Sequence, residues 1–388
     1  MIIKHFTDND LYKFSVMLAI QKLYPWSYVK YAFTNRGGTQ FPEGFAERMR
    51  EEVASMANLQ LTAEEKKFIK NKCYFFDPVF VDFLEGFKYK PEEVTITQEG
   101  GNLSVVMEGY WYRTVLWEVP LMAIISELYF QMTGAEPKDI EEKAIVKAKA
   151  LKEIGADYSE FGTRRRFSFD VQDKVVGALQ ANSGECFKGT SNVYLAMKYN
   201  TTPIGTMPHE WFMFHGALFG YRSANIKGLE AWVDVYDGSL GIALTDTYTT
   251  DSFFNSFSLK QAKLFDGVRH DSGDPLCFAD KAIKFYEQNR IDPTSKTLVF
   301  SDSLNLETVK QIKDHVNGRM HDTYGIGTFF SNDVGVKALN IVIKLTDVKL
   351  HKKDTTFLKA VKLSDVAGKH TGDAKEIELS LKTLGLEE

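Results

Sequence analysis

The sequence predicts an α/β protein: an irregular, incomplete α/β barrel joined to an N-terminal α+β domain to which the C-terminal tail returns. Three observations carry that expectation. From residue 160 onward, short apolar runs alternate with helical stretches, the pattern of parallel strands with crossover helices. The alternating segment is shorter than the roughly 250 residues of a complete (β/α)8 barrel. Residues 1–118, by contrast, are rich in aromatics and mix helical and period-two patterns. The expected divisions are 1–140 for the N-terminal domain, 141–338 for the barrel and 339–388 for the returning segment.

The elements follow in order. "TDNDLYKFSVMLAIQKLY" spaces Leu11, Phe14 and Leu18 as one face of an amphipathic helix, with Asp8 or Asp10 as its cap. "WSYVKYAFTNR" alternates like a strand, as does the stretch 93–119 around a Gly100–Gly101 turn. Pro120 opens a helix, and another over about 140–154 is ended by Gly155. Seven strand candidates then come in series: "EFGTRRRF", "CFKG", "PIGT", "GIALTD", "GVRHDSGD", "TLVFSDS" and "DTYGIGT". "LNIVIKL" at 339–345 reads as a further strand.

Composition narrows the function. With 47 Lys+Arg against 52 Asp+Glu, the formal net charge is −5, which argues against a nucleic-acid partner. An anion must then be drawn by local constellations, and a phosphorylated metabolite fits that better than a polymer. Cys73, Cys186 and Cys277 are widely separated, so neither a zinc site nor a disulfide framework is indicated. "MIIKHFTDND" lacks the apolar core of a signal peptide, and "VPLMAIIS" is too short to span a bilayer. A soluble cytoplasmic protein with no membrane partner is expected.

Almost every strand candidate of the second half ends in Gly, Ser, Thr, Asp, Arg or His, where α/β barrels place their active-site groups. In "RHDSGDP", Asp274–Pro275 is a good helix start, which leaves Arg269, His270 and Asp271 unexplained. Arg269 can grip a carboxylate or phosphate in bidentate fashion. Asp271 and Asp274 suit ribose hydroxyls or Mg2+. Asp302 in "FSDSLN" either holds a sugar hydroxyl or shapes the turn. "GIGT", with Gly325, Gly327 and Thr328, offers backbone N–H groups to a phosphate. His209 in "GTMPHEW" stands at a helix start, where a neutral imidazole can act as base or nucleophile with Glu210 nearby. In "GTSN", Ser191 or Asn192 is a natural cap. Within "EFGTRRRFS", strand alternation puts Arg164 and Arg166 on one face and Arg165 on the other, and Ser168 caps the next helix.

Ten motifs in one order resemble the bacterial nicotinate phosphoribosyltransferases, a family of type II phosphoribosyltransferases. They are "TDNDLYKF", "WEVPLMAIISE", "EFGTRRRFS", "GTSN", "GTMPHEW", "LGIALTDT", "RHDSGDP", "LVFSDSLN", "YGIGT" and "LNIVIKL", spanning nearly the whole chain. The resemblance implies transfer of phosphoribosyl from 5-phosphoribosyl-1-pyrophosphate to nicotinate, in NAD salvage. It further implies Mg2+, ATP hydrolysis coupled through a phosphohistidine at His209, and a head-to-tail homodimer with shared active sites. By the same resemblance the pyridine ring stacks between Tyr12 of the neighbouring subunit and Phe161, near Ser191, and Arg269 takes the carboxylate. Arg164 falls to the pyrophosphate side with Arg166 as near support, and Asp271, Ser272, Gly273, Asp302, Gly325, Gly327 and Thr328 complete the phosphate set. Relatives that use nicotinamide carry Asp where Ser191 stands, and an Asp there would repel a carboxylate. A nicotinamide-specific enzyme and a non-catalytic metabolite-binding relative are the alternatives.

Overall fold

A computed structural model describes residues 1–386, with eleven strands among them. In chain order these are β1 (Tyr28–Asn35), β2 (Val94–Glu99), β3 (Asn102–Tyr110), β4 (Asp157–Glu160), β5 (Phe187–Thr190) and β6 (Ile242–Leu244). There follow β7 (Gly267–His270), β8 (Thr297–Phe300), β9 (His321–Ile326), β10 (Ile341–Lys349) and β11 (Leu358–Lys359). One sheet has the order β11-β10-β1-β3-β2 and the other β5-β4-β9-β8-β7-β6. The first contains the expected hairpin, with Glu99 opposite Asn102 across the Gly100–Gly101 turn. In the second, β4–β5, β6–β7, β7–β8 and β8–β9 are parallel pairs, and the sheet does not close: the barrel is incomplete, as expected.

The chain divides into two compact units, each built from three separate stretches. Unit 1 comprises Met1–Leu18, Lys30–Gly205 and Ile326–Lys344; unit 2 comprises Ala19–Val29, Thr206–Gly325 and the chain from Leu345 on. They cut across the linear segments 1–140, 141–338 and 339–388.

Unit 1 departs from the sequence reading at four places. The alternation read over 93–119 ends with β3 at Tyr110, and helix begins at Trp111. Trp111, Val115, Leu116, Trp117 and Val119 are all fully buried, so no one-sided pattern was there to distinguish strand from helix. The whole helical run Trp111–Thr133 is 23 residues, longer than the apolar stretch read from sequence, and has the length and composition to cross a membrane. Its most apolar window is 78% buried inside the protein, which makes it a core helix. The first helix, Leu11–Leu23, is likewise buried over most of its surface rather than amphipathic, with Lys13 fully buried and paired to Glu118.

"PIGT" forms no strand; Pro203 contributes only an isolated bridge to Thr190. That bridge consists of Thr190 N–H to Thr202 O and Ile204 N–H to Thr190 O, a single step that is not extended into a ladder. Here Gly189 is forced: its φ is +143°, and a Cβ would stand 2.0 Å from the Thr202 carbonyl oxygen. Gly189→Ala is expected to destabilise the protein by about 1–3 kcal/mol, read as a lower urea midpoint at unchanged slope.

The three arginines are the fourth departure. β4 stops at Glu160, and Thr163–Arg165 is a 3-10 turn, so strand alternation does not govern them. Ser168 does cap the next helix, accepting the Val171 N–H at 3.2 Å.

Candidate active site

In unit 2, His209 is the first residue of the helix His209–Phe219, as expected, and is 7% exposed. Its Nδ1 lies 2.9 Å from Thr247 Oγ1. Its Nε2 lies 2.8 Å from Asp271 Oδ2, 2.9 Å from Lys362 Nζ and 3.6 Å from Asp246 Oδ1. The groups that orient the ring therefore come from the loops after β6 and β7 and from residue 362, whereas the sequence reading had looked to Glu210. Burial and the Lys362 charge lower the imidazole to about 4, against Asp246 and Asp271, which act to raise it. Position at a helix N-terminus works in the same direction as Lys362. The ring is thus neutral at neutral pH. Because its folded value lies below the ordinary 6.5, protonation favours the unfolded chain, and this group's contribution to stability falls as pH drops from 6.5 toward 4.

The loop after β7 is built around Asp271. Ser301 Oγ donates to its Oδ1 at 2.7 Å, and Arg269 Nη2 stands 3.4 Å away. Burial alone would raise this carboxyl, but Arg269, His209 and Lys362 outweigh it and hold it well below the usual range. Arg269 Nη1 donates to Thr206 Oγ1, while its buried Nε has no partner among the described residues. Ser272 donates to Asp246 Oδ2 at 2.6 Å, and Gly273 turns the chain at φ +85°. Asp274 caps the following helix, accepting from Leu276 N and Cys277 N at 2.8 and 3.0 Å, so its carboxylate is used structurally. Asp302 pairs with Lys369 at 3.0 Å.

His209, Asp246 and Asp271 bring potential ligand atoms within 4.8 Å of one another. One donor is an imidazole nitrogen, and the Lys362 ammonium already stands 3.4 Å from Asp246 Oδ2. That set does not suit Mg2+, which prefers oxygen ligands.

Unit 1 gathers the remaining candidates. Leu11 donates its N–H to the Ser191 carbonyl at 2.8 Å, and Asp10 bridges to Asn192, so the backbone leading into Tyr12 runs beside "GTSN". Ser191 Oγ donates to Asp10 Oδ1 at 2.8 Å. An acidic side chain therefore stands beside Ser191 after all; burial raises the Asp10 carboxyl, against Arg164 and hydrogen bonds from Ser191 and Thr163. Arg164 has a side chain 42% exposed, with Nη1 3.7 Å from Glu118. Phe161 is half-buried, its N–H donated to Ile326 O at 2.8 Å. Gly327 is where a Cβ would press to 3.2 Å on the Phe161 carbonyl, a packing reason for glycine beside the phosphate one. Thr328 starts the one-turn helix Thr328–Ser331, and Gly325, the last residue of its stretch in unit 2, lies within β9.

Arg166 occupies a different place from the one expected of a phosphate ligand. Neither it nor Asp8 is exposed, and its Nη1 and Nη2 donate to Asp8 Oδ1 and Oδ2 at 2.7 and 2.8 Å. Nη1 also donates to Gln172 Oε1 at 3.2 Å and the guanidinium lies over the Phe169 ring, while the buried Nε, 4.0 Å from Glu127, has no hydrogen-bond partner among the described residues. Asp8 also accepts from Asn192 Nδ2 at 2.7 Å, so Arg166 is an internal strut joining the first residues to "GTSN". Beside it Glu160, pushed up to about 7 by burial, accepts from Thr190, Gly162 N–H and Gln172. Sequence reasoning missed Lys362, Asp246, Thr247, Asp8, Asp10 and Glu160 as site-forming groups. Asp246 and Thr247 end a strand candidate and carried the same signal as the chosen motifs; Lys362 lies beyond the βα series and carried none.

The profile of the nicotinate phosphoribosyltransferase (NAPRTase) family matches residues 156–387, and that of its N-terminal domain matches residues 7–126. A nicotinate phosphoribosyltransferase of Chromohalobacter salexigens is 51% identical over 382 residues, covering 98% of this chain and 97% of that protein. One from Desulforapulum autotrophicum is 50% identical over 386 residues, with 99% of both chains covered. A crystal structure of nicotinate phosphoribosyltransferase from Porphyromonas gingivalis superposes with a TM-score of 0.97 at 47% identity, covering 99% of this chain and 100% of that one.

Proposed function

The chain belongs to the nicotinate phosphoribosyltransferase family, and from that premise we propose how its residues divide the work. The reaction is transfer of the phosphoribosyl group from 5-phosphoribosyl-1-pyrophosphate to nicotinate, giving nicotinate mononucleotide and pyrophosphate, a step of NAD salvage. Nicotinate and 5-phosphoribosyl-1-pyrophosphate are its substrates.

Beyond that, the enzyme spends ATP: His209 takes the γ-phosphoryl group and so couples hydrolysis to transfer. The observation that supports this reading is the neutral imidazole at a helix N-terminus, ringed by Thr247, Asp246, Asp271 and Lys362. An arriving phosphate meets the helix dipole and a lysine there. Asp271 is held ionised and Arg269 offers a fork for an anionic group, the carboxylate in this reading. In unit 1, Tyr12 and Phe161 supply aromatic faces to a flat pyridine, and Ser191 stands beside them without a charge of its own. Arg164, the more exposed of the two arginines discussed, takes a phosphate; Arg166 acts through Asp8 as support. Ser272, Gly273, Asp302, Gly325, Gly327 and Thr328 remain the proposed contacts to the ribose phosphates. Mg2+, if supplied with the pyrophosphate of the substrate, would offset negative charge there; the His209–Asp246–Asp271 cluster is not proposed to hold it. The protein works in the cytoplasm. The head-to-tail homodimer implied by the family remains part of the proposal, with Tyr12 reaching the site of the neighbouring subunit.

Product assays with nicotinate and nicotinamide at equal concentration, each with and without ATP, test the reading. Nicotinate is expected to be the preferred substrate and ATP to stimulate its use; equal use of the amide, or ATP indifference, would count against it. Ser191→Asp is expected to lower nicotinate kcat/KM more than nicotinamide kcat/KM. It adds a second carboxylate beside Asp10, so one of the pair must protonate or part. An unchanged ratio of the two kcat/KM values would show that Ser191 does not set the preference.

A further inference from the structure

Lys362 enters from the C-terminal stretch, outside the parallel strands, yet it is only 8% exposed. The chain around it is fastened to the site loops: Leu363 N–H donates to Thr247 O at 2.8 Å, and Ser364 Oγ to Ser272 Oγ at 2.9 Å. Lys362 also exchanges backbone hydrogen bonds with Thr371 at 2.8 and 2.9 Å, which fixes the base of its side chain. Its ammonium is nearest to His209 Nε2, at 2.9 Å; the carboxylates of Asp246 and Asp271 stand off at 3.4 and 3.9 Å.

The same nitrogen lies 2.8 Å from Asp271 Oδ2. A neutral imidazole has one N–H and one lone pair, so Nε2 cannot donate to Asp271 and accept from Lys362 at once. On the far side of the ring, Thr247 Oγ1 is a hydroxyl, which either donates to Nδ1 or accepts from it. Both tautomers are therefore satisfied at Nδ1, and the choice is made at Nε2.

We propose that Lys362 and Asp271 define two tautomers of His209, and that Lys362 is the positioning residue that holds the reactive one. With Asp271 as partner, Nε2 carries the proton and is blocked. With Lys362 as partner, the proton sits on Nδ1 against Thr247, and Nε2 presents a lone pair. This rests on the phosphohistidine reading above for its consequence, though not for the tautomer pair itself. In the transfer, the Nε2 lone pair attacks the γ-phosphorus of ATP, and the Nε2–P bond forms. The bond from γ-phosphorus to the β,γ-bridging oxygen breaks, and ADP leaves with its electron pair. The Nδ1 proton stays hydrogen-bonded to Thr247, while Asp246 and Asp271 balance the positive ring. Lys362 passes from the nitrogen to the new phosphoryl oxygens as counter-ion. The charged groups facing the ring are Lys362, Asp246 and Asp271, with Arg269 behind Asp271. Of these, Lys362 is the one that lowers the imidazole, so removing it leaves two carboxylates acting to raise it.

The test uses the full-length enzyme labelled with ¹⁵N-histidine, with the His209 signals assigned by their loss in His209→Ala. Nitrogen shifts in the ATP-free protein report the tautomer directly. The wild type is expected to populate the form with the proton on Nδ1, and Lys362→Met and Lys362→Gln to move His209 to the form with the proton on Nε2. In the same variants, γ-phosphate uptake from ATP is expected to fall about a hundredfold. The acid limb of uptake should lie higher in these variants than in the wild type, because the charge that lowers the imidazole is gone. Lys362→Arg, which keeps a cation, should retain the wild-type tautomer. Unchanged tautomer populations in a folded Lys362→Met or Lys362→Gln would overturn the proposal, as would loss of the wild-type tautomer in Lys362→Arg. If Lys362→Met and Lys362→Gln showed the tautomer shift but the wild type took up no γ-phosphate at all, the phosphohistidine reading would fail and the tautomer pair would stand.

Discussion

His209→Ala abolishes ATP stimulation while leaving ATP-independent product formation measurable: this is the expected result with the largest effect on activity. The phosphoribosyl exchange is balanced without ATP, since nicotinate replaces pyrophosphate at one carbon. On the proposed reading the imidazole is needed only for the coupled step, as its nucleophile. Nothing else at the start of that helix substitutes for it, because Asp246 and Asp271 are carboxylates held ionised by Lys362, Arg269 and His209 itself. The variant should fold, since the lost side chain is small and lies at a helix start. Initial rates with and without ATP check it, and equal stimulation in variant and wild type would contradict it.

The largest expected effect on stability lies in unit 1. Arg166→Met leaves the Asp8 carboxylate fully buried with both charged donors gone and Asn192 Nδ2 remaining at 2.7 Å. Breaking a buried pair from one side costs about 3–5 kcal/mol, because the remaining charge is uncompensated. Asp8→Asn combined with Arg166→Met removes both charges and should recover part of that loss, though Asn192 still loses a charged acceptor. Denaturant midpoints of the two single variants and the double variant close the cycle. If Arg166→Met were within about 0.5 kcal/mol of wild type, the strut would be dispensable, and a direct phosphate role for Arg166 would return.

Much of the fold was legible because parallel strands announce themselves by local runs: six of the seven strand candidates are strands at or next to the expected positions. "PIGT" failed because it makes one isolated bridge to Thr190, and a four-residue run cannot show from sequence whether it will find more. The run beginning at Trp111 failed because a segment buried on every side has no periodicity to read. At the site, His209, Arg269 and Asp271 could be picked out because strand ends and helix starts are local features. Their partners were harder to read. Lys362 lies 153 residues from His209, and only tertiary structure brings an isolated C-terminal lysine to that nitrogen. The three arginines show the same limit from the other side: sequence saw three equal charges, and folding makes one a buried strut and another an exposed side chain.

The central claim is that His209 Nε2 carries phosphate during turnover. The direct measurement is peptide mapping of the wild type after brief incubation with γ-labelled ATP, quenched in alkali because phosphoramidates are lost in acid. Label is expected on the peptide containing His209, at a yield that nicotinate and 5-phosphoribosyl-1-pyrophosphate together reduce by discharging it. ATP hydrolysis proceeding at the turnover rate with no label on that peptide would contradict it.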